Sequence, residues 1–136
     1  MPVGVRQLLV QVQHQLFDFG GELAMPGHAL LNIDALKALD LALQEYNARL
    51  PALQEFILPA GVRSVCLAHV CRTVARRAER SLVALVQTQP VRPELLQYLN
   101  RLSDLFFVLA RTFSQEHEGA EVFWQSQRLA MQDNKK

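Results

Sequence analysis

Apolar residues recur every three or four positions along most of this chain, the spacing of a helix face rather than of a strand. Leu8, Leu9, Val12, Leu16, Phe19 and Leu23 make one such face and predict a helix from Val5 to about Ala24, closed by the turn signal Met25-Pro26-Gly27-His28. Asn32 or Asp34 suits the N-cap of a second helix, with Ile33, Leu36, Leu39, Leu43 and Tyr46 as its stripe and Pro51 as its stop. A loop with a Pro59-Ala60-Gly61 bend leads to a third helix, from about Val62 to Gln87. TQPVRP (88–93) breaks the pattern, and a fourth helix runs from Pro93, a residue suited to a first turn, to about Ser114. No stretch sustains strand-like alternation and no long internal repeat is evident. These signals predict one all-α domain over residues 1–136, an up-and-down bundle of four main helices with short connections.

Composition narrows the class. Half of the 136 residues are hydrophobic and a fifth are charged, which suits one globular core and not a disordered chain. The longest apolar runs, such as Phe106–Ala110, are far too short to span a bilayer, and the opening residues lack the basic-then-apolar order of a secretory signal. Cys66 and Cys71 point to different sides of a helix, which predicts neither a disulfide nor a metal pair but small buried residues in a reducing cytoplasm.

A net charge of +1 hides an asymmetry. The segment from Arg63 to Arg80 holds five arginines and one glutamate, so positive charge is concentrated there. This favours a localised anion site over a broad nucleic-acid surface. Without its charges HVCRTVARRAERSLVAL (69–85) reads as a buried helix through Val70, Val74, Ala75, Ala78, Leu82 and Leu85. Arg72, Arg76, Glu79 and Arg80 share one stripe, and Arg77 lies about a quarter-turn away. Like charges at this spacing destabilise a helix by roughly 0.2–0.5 kcal/mol per pair, and Glu79 offsets only one of them. The row needs solvent, acidic partners or an anionic ligand, and the arginine fork suits phosphate oxygens.

The fourth helix carries a second set of polar residues within apolar sequence. Asn100, Asp104 and Arg111 share a stripe with Phe107. A buried Asp104 needs a partner, and the arginines of the preceding antiparallel helix are the natural ones, whether as a structural lock or as part of a site. Asn100 is suited to reading a ribose or a phosphate.

EFILPAG (55–61), ARRAER (75–80) and YLNRLSDLFFVLAR (98–111) closely resemble segments of the PduO-type ATP:cob(I)alamin adenosyltransferases, in that family's order and spacing. LFDFGGELAMPG (16–27) is similar to its FDLGADLATP-type segment. The resemblance implies a helical bundle, five helices in the family, that assembles as a homotrimer with active sites between subunits. It implies transfer of the 5′-deoxyadenosyl group from ATP to the cobalt of reduced cobalamin, with release of triphosphate and with Mg2+ accompanying ATP. Arg76, Arg77, Glu79 and Arg80 would bind the phosphates, and Asn100 the nucleotide. Phe56 would sit under the corrin and exclude an axial ligand, which makes Phe56 and Arg76 the catalytic expectations. Arg72 and Asp104 would be structural, with Arg72 in an inter-subunit salt bridge. A resident metal site, nucleic acid and membrane are not implied.

Two departures from the family pattern stand out. Its TRTGDxGTT-like opening stretch, and the following helix with an acidic partner for Arg72, have no counterpart before Met1. PAGV replaces PGGS, which puts Ala60 where glycine more easily adopts φ > 0. A non-catalytic corrinoid- or nucleotide-binding module, and a helical scaffold whose arginines are interface ion pairs, are the rival readings. His14, His28, His69 and His117 show no metal-ligand spacing, and His69 reads as a packing or interface residue. Phe123 and Trp124 read as packing, or as a tail that closes over the corrin. Lys135 and Lys136 read as a solvated end.

Overall fold

Among the described residues four helices carry the fold of the computed structural model: α1 (Val5–Ala24), α2 (Ile33–Asn47), α3 (Arg63–Val86) and α4 (Pro93–Glu116). Residues 1–53, 56–116 and 123–125 are described; His117, Lys135 and Lys136 lie outside them. The helix starts follow local chemistry. Asn32, rather than Asp34, caps α2, its side-chain oxygen accepting from the Asp34 N–H at 2.9 Å. α3 begins after Gly61, whose φ of 142° belongs to glycine, and a Cβ there would press on the Val65 side chain at 3.3 Å. α4 starts at Pro93, with Glu94 in its first turn facing the positive end of the helix dipole.

Cross-links fix the helix directions. Glu22 meets Arg92 at one end of the bundle and the Met1 amino group meets Glu116 at the other, so α1 and α4 are antiparallel. Arg101 reaches Asp40 and Arg111 reaches the Pro51 carbonyl, so α2 runs parallel to α4. Arg72 and His69 face Phe107 while Glu79 faces Asn100, so α3 is antiparallel to α4. This is the up-and-down bundle that the pattern predicts.

α4 is the central element. Leu95, Tyr98, Leu99, Leu102, Leu105, Val108, Leu109, Ala110 and Phe113 are all buried. Each fully buried leucine contributes roughly 1.5–3 kcal/mol over exposure. Facing them are Val12 and Phe19 of α1, Ala35, Leu39, Ala42 and Tyr46 of α2, and Val65, Ala68, Ala75 and Leu82 of α3. Tyr98 is wholly buried and its hydroxyl donates to Gln15 of α1 at 2.7 Å.

Three expectations need correction. Val70 and Val74 of α3 are exposed, Val70 by 55%, because they lie opposite the face that meets α4. Cys71 is exposed on the same side, while Cys66 is half-buried and directs its thiol at the Gly61 carbonyl at 3.4 Å. Ile33, placed in the α2 stripe, is also exposed; Ala35, Leu39, Ala42 and Tyr46 form the buried line instead. Among the described residues no helix is long and apolar enough to cross a membrane.

Candidate functional site

α3 turns two kinds of surface away from the core. Arg76, Arg77 and Arg80 are exposed, and none meets a carboxylate within salt-bridge distance among the described residues. Arg72 and Glu79 face α4 and are half-buried. Glu79 does not neutralise its arginine neighbours. Its Oε1 accepts from the Asn100 amide at 3.5 Å, and its Oε2 is buried without a hydrogen-bond partner among the described residues. The row therefore keeps its positive charge at the surface, ready for an anion.

Arg72 lies one turn nearer the N-terminus of α3. Its guanidinium carbon sits 5.9 Å from the centre of the Phe107 ring, a cation–π contact, and its buried Nε has no hydrogen-bond partner among the described residues. His69 packs edge-on against the same ring, centroids 6.4 Å apart. It is only 3% exposed, and neither ring nitrogen has a hydrogen-bond partner among the described residues. Burial first, and the Arg72 charge second, hold its pKa below the ordinary histidine value, so it sits in the bundle as a neutral ring. The packing role expected for His69 is what the structure shows.

His69 also lines a small cavity under the loop before α3, with Ile57, Leu58, Ala110 and Arg111. This loop carries Phe56, which is 71% exposed. Its main chain is clasped: the Trp124 N–H donates to the Phe56 carbonyl at 2.7 Å, and Ile57 pairs with Phe123 in an antiparallel bridge. The two rings, Phe56 and Trp124, lie 6.1 Å apart and tilted by 53°. His69, Phe107 and Arg72 thus link the cavity under this loop to the α3 row, an apolar end joined to a cationic one.

Asn100 sits where α3, α4 and α2 meet. Besides Glu79 it touches Arg101, whose Nη1 donates to its Oδ1 at 3.0 Å, and Arg101 in turn holds Asp40 of α2 at 3.2 Å. Asp104 departs from expectation. It is exposed and makes no ion pair with the α3 arginines among the described residues, so the intrachain lock is not formed. Arg111, on the same stripe, is buried where the start of the α2–α3 connection meets it, its guanidinium donating to the Pro51 carbonyl at 2.7 Å.

One cluster escapes pattern reading. Glu22, 8% exposed, accepts from the backbone N–H groups of Leu30 and Leu31 and pairs with Arg92 through two 2.7 Å contacts. Arg92 also donates to the Leu31 carbonyl at 2.6 Å. The Arg92 bond, with the two backbone N–H groups, outweighs burial and holds the Glu22 carboxyl down to about 2. A carboxylate in the last turn of α1, where the helix dipole disfavours it, was the available signal. This knot closes the bundle end opposite Phe56 and borders a cavity of about 220 Å³.

The comparisons agree with this geometry. The family model described as cobalamin adenosyltransferase matches residues 2–113. A cobalamin adenosyltransferase of Cupriavidus metallidurans is 52% identical over 128 residues, 94% of this chain and 70% of that protein. A corrinoid adenosyltransferase of Bacillus subtilis is 37% identical over 128 residues, 92% of this chain and 66% of that protein. A variant PduO-type ATP:corrinoid adenosyltransferase from Lactobacillus reuteri, solved with cobalamin and ATP, superposes with a TM-score of 0.82 at 31% identity, over 88% of this chain and 70% of that one. This chain therefore spans about two thirds of the length of these relatives. Helical bundle, cationic α3 row and sequence identity lead to one conclusion: the chain belongs to the cobalamin adenosyltransferase family, the enzymes of ATP-to-cobalamin adenosyl transfer.

Proposed function

We propose that this chain transfers the 5′-deoxyadenosyl group of ATP to the cobalt of reduced cobalamin and releases triphosphate. The observation that carries the reading is the α3 row: three exposed arginines, Arg76, Arg77 and Arg80, with no carboxylate partner among the described residues. In the reaction a bond forms between cobalt and C5′, and the C5′–oxygen bond breaks with its electron pair leaving on the triphosphate. Reduced cobalt is the nucleophile, so the protein's tasks are alignment and charge stabilisation. Arg76 and Arg80, with Arg77 beside them, hold the polyphosphate and stabilise the charge that grows as it departs. Asn100 contacts the nucleotide. Phe56 offers the corrin an apolar lower face, favouring four-coordinate Co(II) and so its reduction.

Mg2+ enters with ATP in this reading. The buried Glu79 Oε2 beside the row, unpartnered among the described residues, fits it, since one carboxylate plus phosphate oxygens is a common donor set for this ion. Residues 1–136 form a single domain in this reading, supported by the contact of α4 with the other three helices.

The active assembly is a homotrimer. Leu67, Val70 and Val74 support this as an exposed apolar stripe on α3, a surface that a copy of the chain would cover. The buried Nε of Arg72, unpartnered among the described residues, and the exposed Asp104 fit inter-subunit roles. The free thiols Cys66 and Cys71 suit a reducing cytoplasm.

The test is anaerobic incubation of the chain with reduced cobalamin, ATP and Mg2+. Growth of the light-sensitive adenosylcobalamin spectrum is expected. Corrinoid binding without product would convert the reading to a non-catalytic binding module, and binding of neither substrate would overturn it.

A further inference from the structure

We propose that Arg101 and Asp40 are a positioning pair that locks the polarity of the Asn100 amide, so that its N–H groups and not its oxygen face the arginine row. The inference rests on the reading of Asn100 as a nucleotide contact.

An asparagine amide is nearly symmetric in shape, and its two orientations differ only in where donor and acceptor point. At Asn100 the neighbours decide. Arg101 only donates, so the group 3.0 Å from its Nη1 must be the amide oxygen. The Glu79 carboxylate only accepts, so the group 3.5 Å from its Oε1 must be the amide nitrogen. One end is fixed by a cation and the other by an anion. The bond to Glu79 is long and engages one N–H, which leaves the other to donate to a nucleotide oxygen. The reversed amide would turn an acceptor toward triphosphate, where every exposed atom is also an acceptor.

Arg101 can do this only if its own guanidinium stays in place. Position 101 lies a residue beyond Asn100 on α4, so its side chain leaves the helix in a different direction and must fold back. Asp40 of α2 supplies the hold, its Oδ1 3.2 Å from Arg101 Nε. The chain of contacts Asp40–Arg101–Asn100–Glu79 thus ties α2 to the row on α3 through α4. Neither Arg101 nor Asp40 touches the nucleotide in this arrangement; they act through Asn100.

The test is a double-mutant cycle on the full chain, with binding of MgATP read by calorimetry. Arg101→Met and Asp40→Asn are each expected to weaken MgATP binding roughly tenfold, the scale of losing a hydrogen bond to a charged group. In an Asn100→Ala background the same substitutions are expected to change it less than twofold. Cobalamin binding and thermal midpoint stay near the parent's. Additive losses, or equal losses for both ligands, overturn the proposal, since a merely structural pair would behave that way.

A second readout needs no ATP. The Asn100 side-chain ¹H–¹⁵N pair, assigned by its disappearance in Asn100→Ala, is expected to move in Arg101→Met, and an unmoved pair overturns the lock. A parent chain that ignores MgATP while the amide pair still responds to Arg101→Met would sink the nucleotide reading of Asn100 and leave the lock standing.

Discussion

The Trp124 N–H donates to the Phe56 carbonyl at 2.7 Å, and the two rings stand 6.1 Å apart. Residues far apart in sequence thus hold the one large apolar side chain that the proposed reaction places under the corrin. Phe56→Ala is expected to slow turnover that starts from Co(II) several-fold more than turnover that starts from pre-reduced Co(I). Trp124→Ala should follow the same pattern more weakly. Anaerobic rates with each starting state decide it, and equal losses in both would remove the ligand-excluding role.

Arg76→Ala is expected to lower turnover by roughly 10²–10³, the scale seen when one preorganised charge-stabilising donor is lost. Arg76 is exposed and unpaired among the described residues, so its removal should leave the thermal midpoint almost unchanged. Steady-state rates alongside a melting curve separate the two effects.

Glu22→Gln should destabilise the fold by about 2–3 kcal/mol at pH 7, less than the roughly 3–5 of a fully buried pair because Arg92 keeps about a third of its surface in water. The folded carboxyl lies near 2 instead of 4.5, so its contribution is complete above about 4.5 and is lost as pH falls toward 2. Urea midpoints of parent and variant should therefore differ at pH 7 and converge in acid. A gap that stays constant down to pH 2 would contradict the assignment.

His69 sets a different window. Its pKa is lowered by burial and by Arg72, so below about 6.5 the unfolded chain takes up a proton that the folded one refuses. Stability should fall as pH drops from 7 toward 5, and His69→Leu should flatten that slope. Denaturation midpoints across this range provide the measurement.

Val74→Glu and Leu67→Glu place charge on an exposed face of α3, away from the core of the single chain. Both are expected to leave helix content intact while converting a trimer to monomers in sedimentation, with loss of turnover. A trimer that tolerates both charges would move the interface elsewhere.

The helix boundaries were legible because the breakers are strong: Pro93 opens α4 and the MPGH turn closes α1, as observed. Site legibility was uneven, and Asp104 and Arg111 show why. They share a stripe, yet one is exposed and the other buried, because the α2–α3 connection meets α4 at the level of Arg111, through Pro51. Periodicity reports the direction of a side chain, not what lies over it. Val70 and Val74 teach the same lesson from the apolar side, since spacing alone does not separate a core face from a face that a second molecule would cover. Arg101 and Glu22 went unread for another reason: their partners, Asp40 and Arg92, lie 61 and 70 positions away in the chain.

The clasp on the loop before α3 seizes main-chain carbonyls, since the Trp124 N–H donates to that of Phe56 and the Arg111 guanidinium to that of Pro51. A fastening on loop carbonyls leaves position 56 open to re-lettering, with the ring contact to Trp124 as the part that changes. Histidine, leucine or tryptophan could be installed there with the loop still hooked in place, which makes this residue a tuning screw for chemists who wish to vary what cobalt meets from below.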